Sequence, residues 1–106
     1  MKMSFIEIIK NNIAENQMID NWSVAGQIRV RQYRFLEADV SQLRCYLQNP
    51  NTDNIYTAAE DDFQFLYKHW TDYNAGRITR HELRDMNRTT TYTICIMHYL
   101  DENHLI

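Results

Sequence analysis

The chain has 106 residues, of which 44% are hydrophobic and 24% charged, and its formal net charge is −3. This length suits a single domain, the composition argues against a disordered or fibrous class, and a negative charge gives no general attraction to nucleic acid or to an anionic membrane. Two glycines and one proline are too few for the frequent turns of an all-β domain, so composition favours helices.

The spacing of apolar residues predicts an all-α, single-domain bundle of about four helices, mostly antiparallel and joined by short loops. The predicted helices cover residues 4–17, 22–48, 57–75 and 79–102. Three of them begin at a Ser/Thr-x-x-Glu capping box, in which the hydroxyl and the glutamate each satisfy one free backbone amide. The boxes start at Ser4, Thr57 and Thr79.

Breaks between these helices are predicted from turn residues. The second helix has no capping box and is expected to begin at Asn21 or Ser23. The segment 49–56 contains Pro50 and several Asn and Asp residues, which favour turns, and it is the clearest break in the chain. Gly76 is expected to take the left-handed position that ends the third helix.

The end of the fourth predicted helix is apolar on nearly every side. A helix with this pattern is either central in the core or covered by a partner. Ile96, Tyr99 and Leu100 are therefore a possible oligomer interface, and a homodimer is one expectation.

The fourth predicted helix also carries a row of arginines. Arg77, Arg80, Arg84 and Arg88 are spaced three, four and four residues apart, with His81 beside them. Like charges at this spacing, placed at the positive end of a helix dipole, are unfavourable, and a bound anion would relieve them. One interpretation is a docking site for phosphate or an acidic surface. The other is a solvated face, neutralised by nearby Asp and Glu residues.

A second basic group surrounds Tyr33 and consists of Arg29, Arg31 and Arg34. Arginines interleaved with an aromatic residue are typical of grooves for single-stranded nucleic acid, which makes Arg31, Tyr33 and Arg34 a secondary interaction patch. Ordinary ion pairing explains the same residues, because Glu37 lies three positions from Arg34.

No catalytic motif, cofactor signature or metal-ligand spacing is recognisable, so we expect no enzyme, no cofactor and no bound metal. No apolar run is long enough to span a membrane, no signal peptide is evident, and Cys45 and Cys95 resemble buried thiols, which together predict a cytoplasmic protein.

The function expected from these features is non-catalytic binding of a macromolecular partner, most readily a protein, through a helix face. A composition rich in Asn, Ile and Tyr is common in phage and mobile-element proteins, which suggests an inhibitor or modulator of a host complex. The alternative is a protein that binds or sequesters a nucleotide or nucleic acid through the arginine row.

Overall fold

The computed structural model describes residues 3–26 and 30–106 and shows an α+β fold. Its elements in chain order are α1 (Phe5–Asn12), β1 (Met18–Asp20), β2 (Gln32–Asp39), β3 (Arg44–Gln48), β4 (Ile55–Ala59), α2 (Glu60–Asn74), α3 (Arg80–Met86) and α4 (Thr90–Glu102). The prediction of an all-α bundle is therefore wrong. The three helical regions expected at 4–17, 57–75 and 79–102 contain helices, but with different boundaries.

The predicted helix over 22–48 is replaced by strands. In β2, Tyr33 and Phe35 are buried while Gln32 faces solvent, which is the two-residue alternation of a strand rather than a helical stripe. The helix was predicted because apolar residues such as Leu36 and Val40 are four positions apart, a spacing that would place them on one face of a helix. Ile28 and Arg29, which were also assigned to that helix, lie outside the described residues.

The chain makes its turns without glycine at several positions. Asn16, Leu43 and Asp53 have φ values of 67°, 54° and 61°, in the left-handed region. Asn and Asp tolerate this region better than other non-glycine residues, so a low glycine count does not exclude a sheet. The turn between β2 and β3 is supported by the Asp39 carboxylate, which accepts hydrogen bonds from the hydroxyl of Ser41 and the backbone amide of Gln42.

The four strands form an antiparallel sheet in the order β1-β2-β3-β4, with an irregularity in β2 between Phe35 and Glu37. One face of the sheet carries the buried side chains of β2, β3 and β4, among them Phe35, Leu47 and Ala58. Helices α1, α2 and α4 contact the strands and one another, so the core lies between a helical layer and this face of the sheet.

Two of the predicted capping boxes are confirmed. Ser4 caps α1 and Thr79 caps α3, each with the glutamate three residues later. The Thr57 box is wrong, because Thr57 lies in β4 and α2 begins only at Glu60. The Glu60 carboxylate instead accepts hydrogen bonds from the backbone amides at the start of α1, 3.2 Å from Phe5 N and 3.0 Å from Ile6 N. It therefore joins the beginnings of α1 and α2.

The end of α2 follows the prediction. Gly76 has a φ of 77°, and the amide of Arg77 donates to the carbonyl of Asp72, which completes a Schellman motif.

The predicted helix over 79–102 is broken into α3 and α4. Asn87 has an extended backbone, and its side chain donates to Asp62 Oδ1 at 2.9 Å and accepts from the backbone amide of Thr89 at 2.9 Å. These bonds end α3 and turn the chain into α4. The arginine row consequently does not follow a single helix.

Helix α4 is central in the fold. Its consecutive residues Ile94, Cys95, Ile96 and Met97 are all buried, because the sheet covers one side of the helix while α2 and α3 cover others. The chain itself therefore accounts for a helix that is apolar on nearly every side.

Candidate functional site

A cleft of about 1130 Å³ opens between the loop before β2, the inner face of the sheet and helix α3. The residues that line it come from four parts of the chain. The loop contributes Asn21, Ser23, Ala25, Gly26 and Val30, the sheet contributes Tyr33 and Tyr56, α3 and its cap contribute Thr79, Arg80, His81 and Arg84, and α4 contributes Thr91 and Tyr92.

One wall of the cleft is the tyrosine cluster, which consists of Tyr33, Tyr56 and Tyr92. The rings of Tyr56 and Tyr92 are stacked, with centroids 4.1 Å apart and an interplanar angle of 12°. Tyr33 meets both rings edge-on, at 6.2 Å from Tyr56 and 5.8 Å from Tyr92. The cluster forms because the inward positions of β2 and β4 and the first turn of α4 meet at this end of the sheet.

The phenols of Tyr33 and Tyr92 are neutral at physiological pH. Burial, reinforced by the neighbouring Cys95 and tyrosines, raises the pKa of Tyr33 to about 12. Burial also raises the pKa of Tyr92, and its proximity to the Tyr56 hydroxyl adds to the effect. The cluster can therefore donate hydrogen bonds to an anion without repelling it.

Two arginines face the tyrosine cluster from α3. Arg80 and Arg84 are four residues apart and so lie on the same side of the helix. Both line the same cleft as the rings. Burial raises the pKa of Tyr33 and of Tyr92, and Arg80 and Arg84 respectively act in the opposite direction. No Asp or Glu is found among the described residues that line the cleft.

Arg80 has an unsatisfied donor. Its Nε is shielded from solvent, and within residues 3–26 and 30–106 it has no hydrogen-bond partner. Buried polar groups are almost always paired, and leaving one unpaired costs about 1–3 kcal/mol. Arg80 itself lines the cleft, and an anion there would supply the missing acceptor once the side chain turns to expose Nε.

The remaining members of the predicted row are placed differently. Arg77 lies before α3 and forms an exposed ion pair with Asp72, with 2.7 Å between Arg77 Nε and Asp72 Oδ1. Arg88 is exposed in the turn between α3 and α4 and does not line the cleft. His81 does line the cleft, and its Nε2 lies 3.5 Å from a carboxylate oxygen of Asp85.

The residues of the secondary patch do not share a surface. Tyr33 points to the inner face of the sheet and is 3% exposed, whereas Arg34 points the other way, and its Nη1 donates to Gln48 Oε1 at 3.4 Å. Arg31 is exposed at the end of the loop. The alternation of a strand separates side chains that a helical interpretation had grouped.

The possible oligomer interface is largely internal. Ile96 and Leu100 are completely buried within the chain, and Tyr99 is half-buried with its hydroxyl accepting a hydrogen bond from Gln17 Nε2 at 3.1 Å. This fold leaves Ile96 and Leu100 no surface to present to a partner.

Sequence reasoning did not associate Tyr56 with the arginines, because it is distant from them along the chain and had been assigned to a loop. The alternating pattern around Tyr33 was the one available signal that this tyrosine faces the core, and the helical interpretation obscured it.

The cysteines are poor candidates for nucleophilic chemistry. Cys45 and Cys95 are buried free thiols, and burial raises the pKa of both, that of Cys95 to about 12. Both are therefore protonated at physiological pH. Across the described part of the chain, no three His, Cys, Asp or Glu side chains are grouped so as to hold a metal ion.

None of the described helices is long and apolar enough to cross a membrane. The chain matches no protein-family model, no curated protein and no solved structure. The geometry of the cleft is therefore the basis for proposing what it binds.

Proposed function

We propose that this chain is a non-catalytic binding protein that holds a phosphate-bearing ligand in the cleft between α3 and the sheet. The observation that carries the proposal is the buried, unpartnered Nε of Arg80, beside Arg84 and without a carboxylate among the described cleft residues. We also expect the protein to act in the cytoplasm, where buried cysteines such as Cys45 and Cys95 remain reduced.

Phosphate suits this arrangement because a guanidinium group presents two parallel N–H donors to two oxygens of one anion. An oxygen on Arg80 Nε would satisfy the buried donor, and Arg84 would add a second positive charge. The cleft volume of about 1130 Å³ slightly exceeds the range of about 300–1,000 Å³ that is usual for small-molecule sites. A small ligand therefore fits the dimensions.

A second candidate is an acidic segment of a protein partner. Arg84 and His81 line the cleft and are themselves exposed, so they are accessible to side chains from another protein surface. In this case the protein would inhibit or modulate a host complex by occluding the surface that it covers. Such a role fits the phage or mobile-element origin that the composition suggests.

The test is calorimetric titration of the purified protein with ribose 5-phosphate at millimolar concentration. We expect saturable binding that Arg84→Gln weakens about tenfold or more, because a hydrogen bond to a charged group contributes about 1.5–3 kcal/mol. The matched control is Arg88→Gln, which removes an equally exposed arginine outside the cleft and should change the affinity less than twofold.

Equal losses in the two variants, or no saturable binding by the wild-type protein, would contradict the proposal. A poly-glutamate peptide that binds more tightly than ribose 5-phosphate, with the same dependence on Arg84, would favour the protein-partner candidate instead.

A further inference from the structure

We infer that the ligand of the cleft is a mononucleotide, with its phosphate on Arg80 and Arg84 and its base against the tyrosine cluster. This inference rests on the proposed function and names the class of ligand. It depends on the aromatic wall, which a phosphate alone would not use.

The tyrosine cluster offers a surface for a planar ring. Tyr56 and Tyr92 are stacked nearly parallel at 4.1 Å, and both are only half-buried, so part of the stack is accessible from the cleft. Tyr33 is 3% exposed and supports the stacked pair from the core side. Nucleic-acid bases stack on aromatic side chains in this way, whatever the identity of the base.

The charges and the rings line the same cleft, which is bordered by Arg80 and Arg84 from α3 and by Tyr33, Tyr56 and Tyr92. A ligand that joins a planar ring to a phosphate would engage both features at once. A sugar phosphate would leave the tyrosines uncovered, and a free base would leave Arg80 Nε without an acceptor.

The described residues of the loop before β2 add polar groups to the cleft, among them Asn21 and Ser23. The Asn21 side chain donates to the Val30 carbonyl and accepts from the Trp22 amide, each at 2.8 Å, and the Val24 amide donates to the Tyr73 hydroxyl at 3.2 Å. These contacts fix the described ends of the loop, on either side of residues 27–29.

The overall charge favours a single nucleotide over a polymer. Binding of nucleic acid draws much of its free energy from the release of counterions by many basic residues. This chain has a net charge of −3, and only Arg80 and Arg84 supply arginine charge to the cleft in the described residues. A ligand with one phosphate group matches that supply.

The test compares AMP, ribose 5-phosphate and adenosine by titration calorimetry with the wild-type protein. We expect AMP to bind at least tenfold more tightly than either fragment, because base stacking and phosphate binding both contribute. If ribose 5-phosphate binds as tightly as AMP, the base makes no contact and the nucleotide inference fails, although the proposed function stands. If neither phosphate compound binds, the proposed function fails as well.

Variants of Tyr92 locate the base. Tyr92→Leu should reduce the advantage of AMP over ribose 5-phosphate by about tenfold, and Tyr92→Phe, which keeps the ring, should preserve it. Circular dichroism establishes that each variant is folded. An undiminished AMP advantage in a folded Tyr92→Leu protein would overturn the placement of the base on the tyrosine cluster, and the wild-type comparison remains decisive if that variant does not fold.

Discussion

Two aromatic clusters lie along α4, and they differ in whether their rings line the cleft. The tryptophan cluster, near the end of α4, consists of Trp22, Trp70, Tyr73 and His98. The rings of Trp22 and His98 are stacked, with centroids 4.0 Å apart and an interplanar angle of 1°. The tyrosine cluster, at the start of α4, stacks Tyr56 on Tyr92 but borders an open cleft. Similar ring contacts thus occur in two different settings.

The difference between the clusters is in their polar groups. In the tryptophan cluster, Trp70 Nε1 donates to Asp101 Oδ2 at 3.0 Å, and His98 Nε2 lies 3.3 Å from Glu102 Oε1. Beside the tyrosine cluster, Arg80 Nε is buried with no partner among the described residues. Satisfied polar groups indicate a structural role, whereas an unsatisfied one next to a cleft indicates a place for a ligand.

The largest expected effect distinguishes the clusters by stability. Trp70→Ala should lower the free energy of unfolding by about 3–5 kcal/mol, because it removes a large buried side chain and leaves Asp101 without its donor. Tyr92→Ala, at a half-buried position beside open space, should cost about half as much. Urea denaturation measures both. A larger loss for Tyr92→Ala would show that the tyrosine cluster, rather than the tryptophan cluster, stabilises the fold.

Alkaline pH should destabilise the fold in part through the tyrosine cluster. The pKa of Tyr33 is raised from 10.0 to about 12, so above pH 10 the unfolded chain loses this proton more readily than the folded one. Stability should therefore fall between pH 10 and 12. Tyr33→Phe should make the fall shallower, leaving the contributions of Tyr92, Cys45 and Cys95, whose pKa values are also raised. Identical pH profiles for the two proteins in urea denaturation would contradict this expectation.

The smallest expected effect is a gain in stability. Arg80→Met keeps a long side chain but removes the unpartnered Nε, and should increase the free energy of unfolding by about 1 kcal/mol in the absence of ligand. The same variant should lose binding of ribose 5-phosphate. A loss of stability, measured by urea denaturation, would mean that Arg80 supports the fold and is not reserved for a ligand.

The sequence was most informative about local helix ends. Ser4 and Thr79 cap their helices with residues three positions away, and Gly76 ends α2, because these bonds depend on a few neighbouring residues. The Thr57 box matched the same pattern and failed. Its residues pair with β3, and the register of that pairing cannot be read from four residues.

The candidate site was predicted in part. Arg80, His81 and Arg84 were identified as unusual from their spacing, and they do line the cleft. Arg77 and Arg88 were included with them because one continuous helix was assumed. Asn87 interrupts that helix through a hydrogen bond to Asp62, which is distant in the chain.

The sequence by itself determined the caps at Ser4 and Thr79, the end of α2 and the presence of an unusual group of arginines, since each depends on interactions between near neighbours. The tertiary structure decided that residues 32–48 form strands, that α4 is covered by its own chain, and that Tyr33, Tyr56 and Tyr92 meet Arg80 and Arg84. Those outcomes depend on which distant segments pack together. The physical reason is that burial and strand pairing outweigh local helix propensity, and both are properties of the whole fold.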